Sequence, residues 1–497
     1  MNEVVLKYLK KQGYGNVSTS YYKWIDLWES WWRNEVDFHK YNDDSGVERK
    51  MYTLGMAKRM TEDWASILFT ERDEITTEAK TKKLTENNNE YLDKQFKTLK
   101  VYKDLPTAIE KAMATGTAGA IIRIKHAKVD KKGGLFADER TKADIIYVSA
   151  SQIIPLRVEH GEIIDIAIVS EDIKGDKKEY YIEIHKLQYK TVKSKLFNKE
   201  EKEIYFISNT YLDEEGNEIQ KEDIAKQYTV NSNVPLFSIM KPAIANPINE
   251  NYNIINGLGF SAYGTAIPQL EACDITYHNF VMDFYLGGKK IFYNKKIVET
   301  KTVTDSQGRE REIPIYPDDL TRQQWKTYGN EMQNLQQEPA IKEYNPELRV
   351  EEDTAGIQFA LNVFAFKGGL GTGYYKFDSG RGSVMTATQY VGDRQDLIVN
   401  ANKHRKNVDE FISGIAKAVL LLGRILFKEP VTEDCIVKVT DKDGFMVDTE
   451  TAKQEFRQDI AQGIRKEWEY RVKFFGEDEE IAKKMVADEP IDITEEE

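Results

Sequence analysis

A glycine-rich segment is the part of the sequence whose residue types could do chemistry. Residues 367–383 read KGGLGTGYYKFDSGRGS, a stretch that contains six glycines. Glycine-rich loops bind phosphates because their backbone amides can approach the oxygen atoms closely. A P-loop ends in Gly-Lys-Ser/Thr, however, whereas Gly373 is followed by Tyr374 and Tyr375. A dinucleotide-binding loop must also follow a strand, and the preceding residues have a helical pattern. The sequence therefore favours a flexible loop with protruding tyrosines and lysines over a nucleotide cradle.

Histidine, cysteine and carboxylate residues form no recognisable catalytic or metal-binding pattern. The two cysteines, Cys273 and Cys435, give no CxxC spacing, which excludes a disulfide scaffold and favours a reducing compartment. No HxH or HExxH spacing occurs among the six histidines. They are His39, His126, His160, His185, His278 and His404. We therefore expect no enzymatic activity, no metal and no cofactor.

The composition is that of a folded, acidic protein with several domains. Aromatic residues make up 11% of the 497 residues, and the formal net charge is −13. Tight, sequence-independent DNA binding requires the neutralisation of phosphates, so this chain should repel DNA more than hold it. The N-terminus has no apolar run typical of a signal peptide, and the most apolar stretch, 412–427, is interrupted by Lys417 and Arg424. We expect a cytosolic protein with no membrane segment.

Large aromatic residues recur at helical spacing near the N-terminus. Tyr21, Trp24, Trp28 and Trp31 would lie on one face of an early helix. Such a stripe could stack on nucleic-acid bases, but lysine and arginine are not interleaved along that face. Protein core or a subunit contact is the better interpretation. Further helices are predicted at 48–69, 84–96 and 105–114.

From residue 118 the pattern changes to the alternation typical of strands. Segments such as AIIRIKH, DIIYVSA and EYYIEIHK are short and rich in β-branched and aromatic residues. They predict an antiparallel meander or a small barrel up to about residue 228. The patterns that follow predict a helix at 261–286, a small β-hairpin unit at 289–317, a helix at 355–366, a β-like segment after residue 430, and helices at 449–475 and 477–487. The expected fold class is α+β and mainly helical.

A long amphipathic helix is predicted after the glycine-rich segment. Apolar residues keep a heptad-like stripe for about forty residues from Ala387, so the helix would span roughly 60 Å. That length exceeds what one compact domain needs and predicts an extended or oligomeric protein. Gly392, Gly414 and Gly423 are positions where it could kink. The residues expected to contact other subunits are Trp24, Trp28, Trp31, Val391, Leu397, Val408, Phe411 and Ile415.

Five stretches, taken in order, carry a family resemblance. They are SASQIIPLRVEHGEIIDIAIVSE, VPLFSIMKPAIANPIN, LGFSAYGTAIPQLEACDITYHNFVMDFYLGGKKIFY, GSVMTATQY, and DTETAKQEFRQDIAQGIRKEWEYRVKFFGEDEEIAKKM. In this order they resemble the portal (head-to-tail connector) proteins of tailed bacteriophages, most closely those from phages of Gram-positive hosts. No single string is a strict signature, but the ordered set covers the chain from about residue 21 to residue 485.

The resemblance implies an architecture as well as a fold class. Residues 1–256 would form the wing, 257–288 the first stem helix and 289–350 the small α/β clip. Residues 351–367 would form the second stem helix, 368–383 the tunnel loop, 384–448 the long helix with the rest of the wing, and 449–497 a helical crown with an acidic tail. Portal subunits assemble into a ring, which is twelve-fold in virions by family analogy.

The same resemblance implies a function at one vertex of the virion capsid. The ring would be a channel for packaging, retaining and ejecting double-stranded DNA, with no sequence-specific contacts and no membrane. Its other partners would be the terminase large subunit, which would hydrolyse ATP in place of this chain, a head–tail adaptor, and the major capsid and scaffolding proteins, with assembly in the host cytoplasm. The tunnel-loop residues expected to contact DNA are Lys367, Tyr374, Tyr375, Lys376 and Arg381.

Two other functions remain open on the sequence alone. One is another minor structural protein of the phage head, and the other is a nucleotide-binding enzyme that uses residues 368–373. A closed ring needs two different contact faces on every subunit. The aromatic N-terminal helix and the long stripe are expected to supply that apolar area, while glycine would let the tunnel loop adopt several conformations.

Overall fold

The computed structural model describes most of the chain as a mixture of helices and strands. The residues that it describes are 3–14, 20–42, 46–69, 74–126, 128–130, 133–174, 177–193, 199–221, 225–248, 257–288, 290–294, 300–304, 308–314, 325–328, 341–376, 395–440, 449–477 and 479–487. The described residues form both helices and strands, and the sheets are open. The predicted α+β fold class is confirmed.

Helices dominate both ends of the chain. They are α1 (Glu3–Lys11), α2 (Tyr22–Trp32), α3 (Met56–Leu68), α4 (Lys82–Thr98), α5 (Val101–Thr115), α6 (Ile267–Leu286), α7 (Val350–Lys367), α8 (Gln395–Ile425), α9 (Thr449–Ala461), α10 (Glu467–Phe475) and α11 (Glu479–Ala487). Local sequence explains several of these boundaries. The Thr81 hydroxyl caps α4 by accepting a hydrogen bond from the Leu84 amide, and Gly116, with a φ of 80°, ends α5.

Strands occupy the middle of the chain and the segment between α6 and α7. They are β1 (Lys40–Asn42), β2 (Glu48–Lys50), β3 (Glu74–Ala79), β4 (Ala118–Lys125), β5 (Lys128–Val129), β6 (Leu135–Phe136), β7 (Lys142–Ser149), β8 (Ile153–Glu159), β9 (Glu162–Lys174), β10 (Lys177–Lys193), β11 (Lys199–Leu212), β12 (Glu218–Ile219), β13 (Gln227–Val230), β14 (Phe237–Met240), β15 (Lys290–Asn294), β16 (Thr300–Thr304), β17 (Glu310–Pro314), β18 (Trp325–Tyr328), β19 (Ile341–Tyr344) and β20 (Cys435–Thr440).

The β-rich region is an antiparallel meander, one of the two arrangements predicted for it. Its strand order is β12-β11-β10-β9-β8, and β13 also pairs with β11. A second sheet has the order β14-β4-β7 and packs on α5 and α8. Between α6 and α7, β16 and β17 form the predicted hairpin, while β15 pairs with β18 and β19. These antiparallel and mixed pairings use the alternating apolar pattern seen in the sequence.

Three predicted helices begin later than expected or are interrupted. The helix expected at 48–69 begins only at Met56, because residues 48–50 pair with β1 and Gly55 adopts a φ of 64°. The helix expected from residue 261 begins at Ile267, next to a proline in the first turn. The helix expected at 449–475 is interrupted after Ala461, where Gly463 has a φ of 72°. In each case a turn residue or a tertiary strand pairing overrides the helical pattern.

The long helix α8 lies in the core of the chain. Over its described length, Gln395–Ile425, the residues with exposed fractions of 1% or less include Leu397, Val408, Phe411 and Ile415. Two of the three glycines expected to permit kinks lie at close contacts: a Cβ on Gly414 would lie 2.3 Å from Ser238 Oγ, and one on Gly423 would meet the Tyr91 ring. Gly392 lies outside the described residues. The helix is therefore long because it crosses the main core.

Candidate subunit interface and glycine-rich segment

Helices α6 and α7 pack side by side and flank the small β unit. Near their adjoining ends, Arg349 Nη2 lies 2.7 Å from Asp283 Oδ2, so the C-terminal end of α6 meets the N-terminal end of α7 and the helices run antiparallel. The first half of α6 is anchored in the protein. Asp274, which is 3% exposed, accepts hydrogen bonds from His39 Nε2 at 2.9 Å and from the Leu54 amide at 2.8 Å. Burial raises the pKa of the Asp274 carboxyl group.

The outer half of α6 carries apolar side chains that the described part of the chain leaves exposed to a large extent. Apolar residues lie all around this helix, yet its described buried residues are only Leu270, Cys273 and Asp274, all in the first half. The last residues of α6 are exposed, with Tyr285 at 64% and Leu286 at 56%. A helix that is apolar on all sides is normally buried on all sides, so the outer half of α6 has the character of a contact surface.

Helix α7 presents a second exposed apolar surface. Phe364 is fully buried against the core, but Phe359 and Phe366 are 71% and 59% exposed. Large aromatic side chains at such exposure are typical of interaction sites when they are grouped. The exposed apolar residues of α6 and of α7 lie on different helices, so each helix carries an exposed apolar surface of its own.

An aromatic ladder supports the outer half of α6. Tyr52 stacks on His278 and on Tyr285, with ring centroids 5.9 and 6.0 Å apart, and Tyr41 meets His278 edge-on at 5.7 Å. The Tyr52 amide also donates a hydrogen bond to His278 Nδ1 at 3.2 Å. These contacts hold the helix in place without covering Tyr285, so its ring remains available to a partner.

The glycine-rich segment begins directly at the end of α7 and is fixed at its base. Trp64 Nε1 donates a hydrogen bond to the Gly368 carbonyl oxygen at 3.1 Å, and Asn400 Nδ2 donates one to the Gly369 carbonyl oxygen at 3.0 Å. A Cβ on Gly368 would lie 2.0 Å from Met60 Cε. A side chain at this position would therefore displace the end of the Met60 side chain of α3.

The tyrosines of this segment do not protrude as predicted. Gln358 Nε2 donates a hydrogen bond to the Tyr375 carbonyl oxygen at 2.6 Å, and the Tyr375 ring stacks on Phe364 with centroids 6.5 Å apart. Burial, together with the neighbouring Asp63 carboxylate, raises the pKa of the Tyr375 phenol. Tyr374 also packs against the core, with its ring edge-on to that of Tyr375. Both side chains are half-buried and packed beside α7, and their contact with DNA stays a prediction.

The lysines of the segment have the exposure that the prediction requires. Lys367 and Lys376 are both exposed. Arg381, the remaining residue of the predicted set, lies outside the described residues. The described part of the segment therefore has two exposed cations, one before and one after the two tyrosines in the sequence.

Most of the predicted subunit-contact residues are buried within their own chain. Side chains in the core of one subunit cannot contact another, so the prediction is wrong for Trp28, Trp31, Leu397, Val408, Phe411 and Ile415. Trp24 is half-buried and stays a prediction, and Val391 lies outside the described residues. The exposed apolar surfaces on α6 and α7 were missed, although the apolar residues on every side of these helices were a visible signal.

A surface cleft lies in the β-rich region, away from the glycine-rich segment. This cleft of about 520 Å³ lies between the two sheets of the β-rich region and is lined by Arg123, Tyr181, Glu183 and their neighbours. Among the residues that the structure describes, histidine, cysteine, aspartate and glutamate form no group that could hold a metal ion. None of the described helices is long and apolar enough to cross a membrane.

No protein-family model matches the sequence, and no curated protein matches it either. The functional inference therefore rests on the architecture and surfaces of this chain. The relevant features are two antiparallel helices with uncovered apolar faces, a small β unit between them, and a glycine-rich segment that begins where the second helix ends.

Proposed function

We propose that this chain is the subunit of a phage portal, a ring-shaped channel through which DNA enters and leaves a capsid. The observation that carries the proposal is the uncovered apolar area on two separate helices, α6 and α7. A cyclic assembly uses two different faces of every subunit, each of which is covered by a neighbour. Burying aromatic and aliphatic side chains is favourable by about 25 cal/mol per Å², so these faces provide a driving force for closing a ring.

The order of elements supports the same assignment. A β-rich and helical wing precedes α6, the small β unit lies between α6 and α7, and the glycine-rich segment and α8 follow. In the proposed assembly α6 and α7 are the stem, the β unit is the clip that meets adaptor and motor proteins, and helices α9 to α11 are the crown. The chain itself carries no catalytic role, and ATP hydrolysis belongs to a separate terminase.

Electrostatics suits a channel that must not retain DNA. The net charge of −13 repels phosphates over the surface as a whole. Lys367 and Lys376 are exposed at the ends of the described loop, where they would give weak contacts that do not depend on base sequence. DNA can then move through the ring because attraction is confined to a few side chains.

Imaging of the purified full-length protein tests the proposal. Negative-stain electron microscopy, combined with light scattering for the molar mass, should reveal closed rings with a central hole. A protein that stays monomeric, alone and with scaffolding protein present, would contradict the portal assignment. Solid capsid-like or irregular assemblies would favour another minor head protein. Saturable micromolar binding of ATP or NAD in equilibrium dialysis would favour the nucleotide-binding enzyme.

A further inference from the structure

Strands β10 and β11 extend beyond the sheet that supports them. β10 pairs with β9 only as far as His185, whereas it pairs with β11 as far as Lys193. On the other side, the pairing of β11 with β13 reaches only Tyr205. Residues 188–193 and 199–203, which we call the arm, are therefore a ribbon of two strands with no third strand among the described residues.

A two-stranded ribbon of this kind lacks support within its own chain. Isolated hairpins are at best marginally stable in water, because they have no hydrophobic face to bury. On β10, Gln188, Tyr189 and Lys190 are all exposed, and the exposed fraction of Tyr189 is 69%. On β11, Glu201 and Lys202 are exposed as well. A two-stranded ribbon with exposed side chains on both strands has the character of a contact surface for another molecule.

The charges of the arm indicate the character of that contact. Lys190 and Lys202 are register partners, directly opposite each other in the antiparallel pair. Their side chains therefore project from the same face, and like charges at such positions destabilise a ribbon. Both lysines are exposed, and neither forms an ion pair with a carboxylate among the described residues. An acidic surface placed against this face would remove the repulsion.

We propose that the arm docks on the neighbouring copy of this chain in the ring, with Lys190 and Lys202 on the contact face and opposite carboxylates of that copy. Tyr189 is the register partner of Glu203 and lies on the other face of the ribbon, so it takes no part in this contact. This inference rests on the proposed function, since a closed ring brings an identical surface next to every arm. The chain carries 83 acidic and 70 basic residues, so the surface of a neighbouring copy is on average complementary to the two lysines. The arm thus adds a wing contact to those of α6 and α7.

Charge reversal on the arm tests the contact. The variant Lys190→Glu/Lys202→Glu should weaken ring assembly at least tenfold in association constant, measured by light scattering over a dilution series. Lys94→Glu/Lys103→Glu is a matched control, because it changes the net charge equally at two exposed lysines outside the arm. It should assemble like the wild type. Raising the salt concentration should reduce the difference in association constant between the arm variant and the wild type, because salt screens exposed charges.

Hydrogen exchange on the unmodified protein gives a second test that does not depend on a variant's folding. Amides of residues 188–193 and 199–203 should exchange rapidly in dilute monomer and become protected in the ring, whereas those of the buried strand β4 should be protected in both.

Two results would overturn the docking of the arm while leaving the ring intact. One is rings in which the arm amides exchange as fast as in the monomer. The other is normal assembly of the arm variant, including the case in which only its binding to DNA is reduced. A wild-type protein that forms no rings would instead overturn the proposed function itself.

Discussion

The indole Nε1 of Trp64 donates a hydrogen bond to the carbonyl oxygen of Gly368, 304 positions later in the chain, at 3.1 Å. Trp64 is fully buried, and Gly368 is buried against Met60. The bond joins helix α3 of the proposed wing to the start of the glycine-rich segment. Because Asn400 of α8 holds the next residue, Gly369, the position of the segment depends on two helices from distant parts of the sequence.

Replacing Trp64 by Phe should destabilise the protein through the loss of this bond. The Gly368 carbonyl oxygen would remain buried without its donor, which costs about 1–3 kcal/mol, in addition to the loss of packed volume. Trp28→Phe is a matched control: Trp28 is also fully buried, but its Nε1 has no hydrogen-bond partner among the described residues. Denaturant unfolding should give a larger loss of unfolding free energy for the Trp64 variant. Equal losses would mean that the bond contributes nothing.

Gly116→Ala should be strongly destabilising because two backbone segments meet at this glycine. A Cβ on Gly116 would lie 2.3 Å from the Gly259 carbonyl oxygen, and the φ of Gly116 is 80°. Gly133 has the same φ of 80° but nothing within 4 Å of a Cβ. Gly133→Ala should therefore cost only the conformational strain, about 1–2 kcal/mol. Thermal melts of both variants separate the steric clash at Gly116 from the conformational strain that both positions share. Similar melting temperatures would show that the backbone segments at Gly116 and Gly259 can move apart at little cost in free energy.

The sequence predicted the helices and strands of this protein better than it predicted their boundaries and their packing partners. Periodicity is a local property, so the strands between residues 118 and 230 and the hairpin of β16 and β17 follow from alternation alone. Strand β3 was missed because its partner is β20, more than 300 residues away in the sequence. The helix ends at Met56 and Ala461 depend on glycines in the left-handed region, a conformation that composition alone does not reveal.

The candidate subunit interface was harder to predict. An apolar stripe on a helix shows that the helix is covered, but not whether its own chain or another subunit covers it. The stripe on α8 was interpreted as a subunit contact, but Val408 and Phe411 pack within their own chain. Tyr375 was assigned to a channel for a similar reason, since the sequence did not reveal that its ring would stack on Phe364. Helices α6 and α7 have apolar residues on every side. Such a pattern does not show which of these residues lie in the core and which remain exposed.

Charge placed on the exposed face of α7 should prevent ring assembly without unfolding the subunit. Phe359 and Phe366 are 71% and 59% exposed, so Phe359→Glu/Phe366→Glu removes little packing within the chain. In a closed interface, however, the new carboxylates would be buried without partners. The ring fraction in light scattering should fall at least tenfold, while circular dichroism stays unchanged. Val399→Glu, at an exposed apolar residue of α8, is the control and should assemble normally. Rings from the double variant would place the subunit interface elsewhere.

His404 should make the stability of the core fall in mildly acidic solution. Burial, with a smaller contribution from Lys403, lowers the pKa of His404 from 6.5 to about 4. The ring packs edge-on against Trp64 at 4.9 Å, and Nδ1 accepts a hydrogen bond from the Ala243 amide at 3.0 Å. Because the folded-state pKa is the lower one, the unfolded chain takes up the proton first as the pH falls. The stability is therefore fully present above pH 6.5 and is lost progressively towards pH 4.

The variant His404→Asn isolates this effect because asparagine offers an acceptor near the position of Nδ1 but does not titrate. Unfolding free energies of both proteins would be measured in denaturant at about pH 7 and about pH 4.5. The carboxylates titrate alike in the two proteins, so the difference between them reports His404 alone. Relative to the variant, the wild type should lose about 2–3 kcal/mol more between the two pH values. Parallel pH profiles would mean that the imidazole keeps an ordinary pKa in the folded protein, and that it reaches water despite its position between α8 and α3.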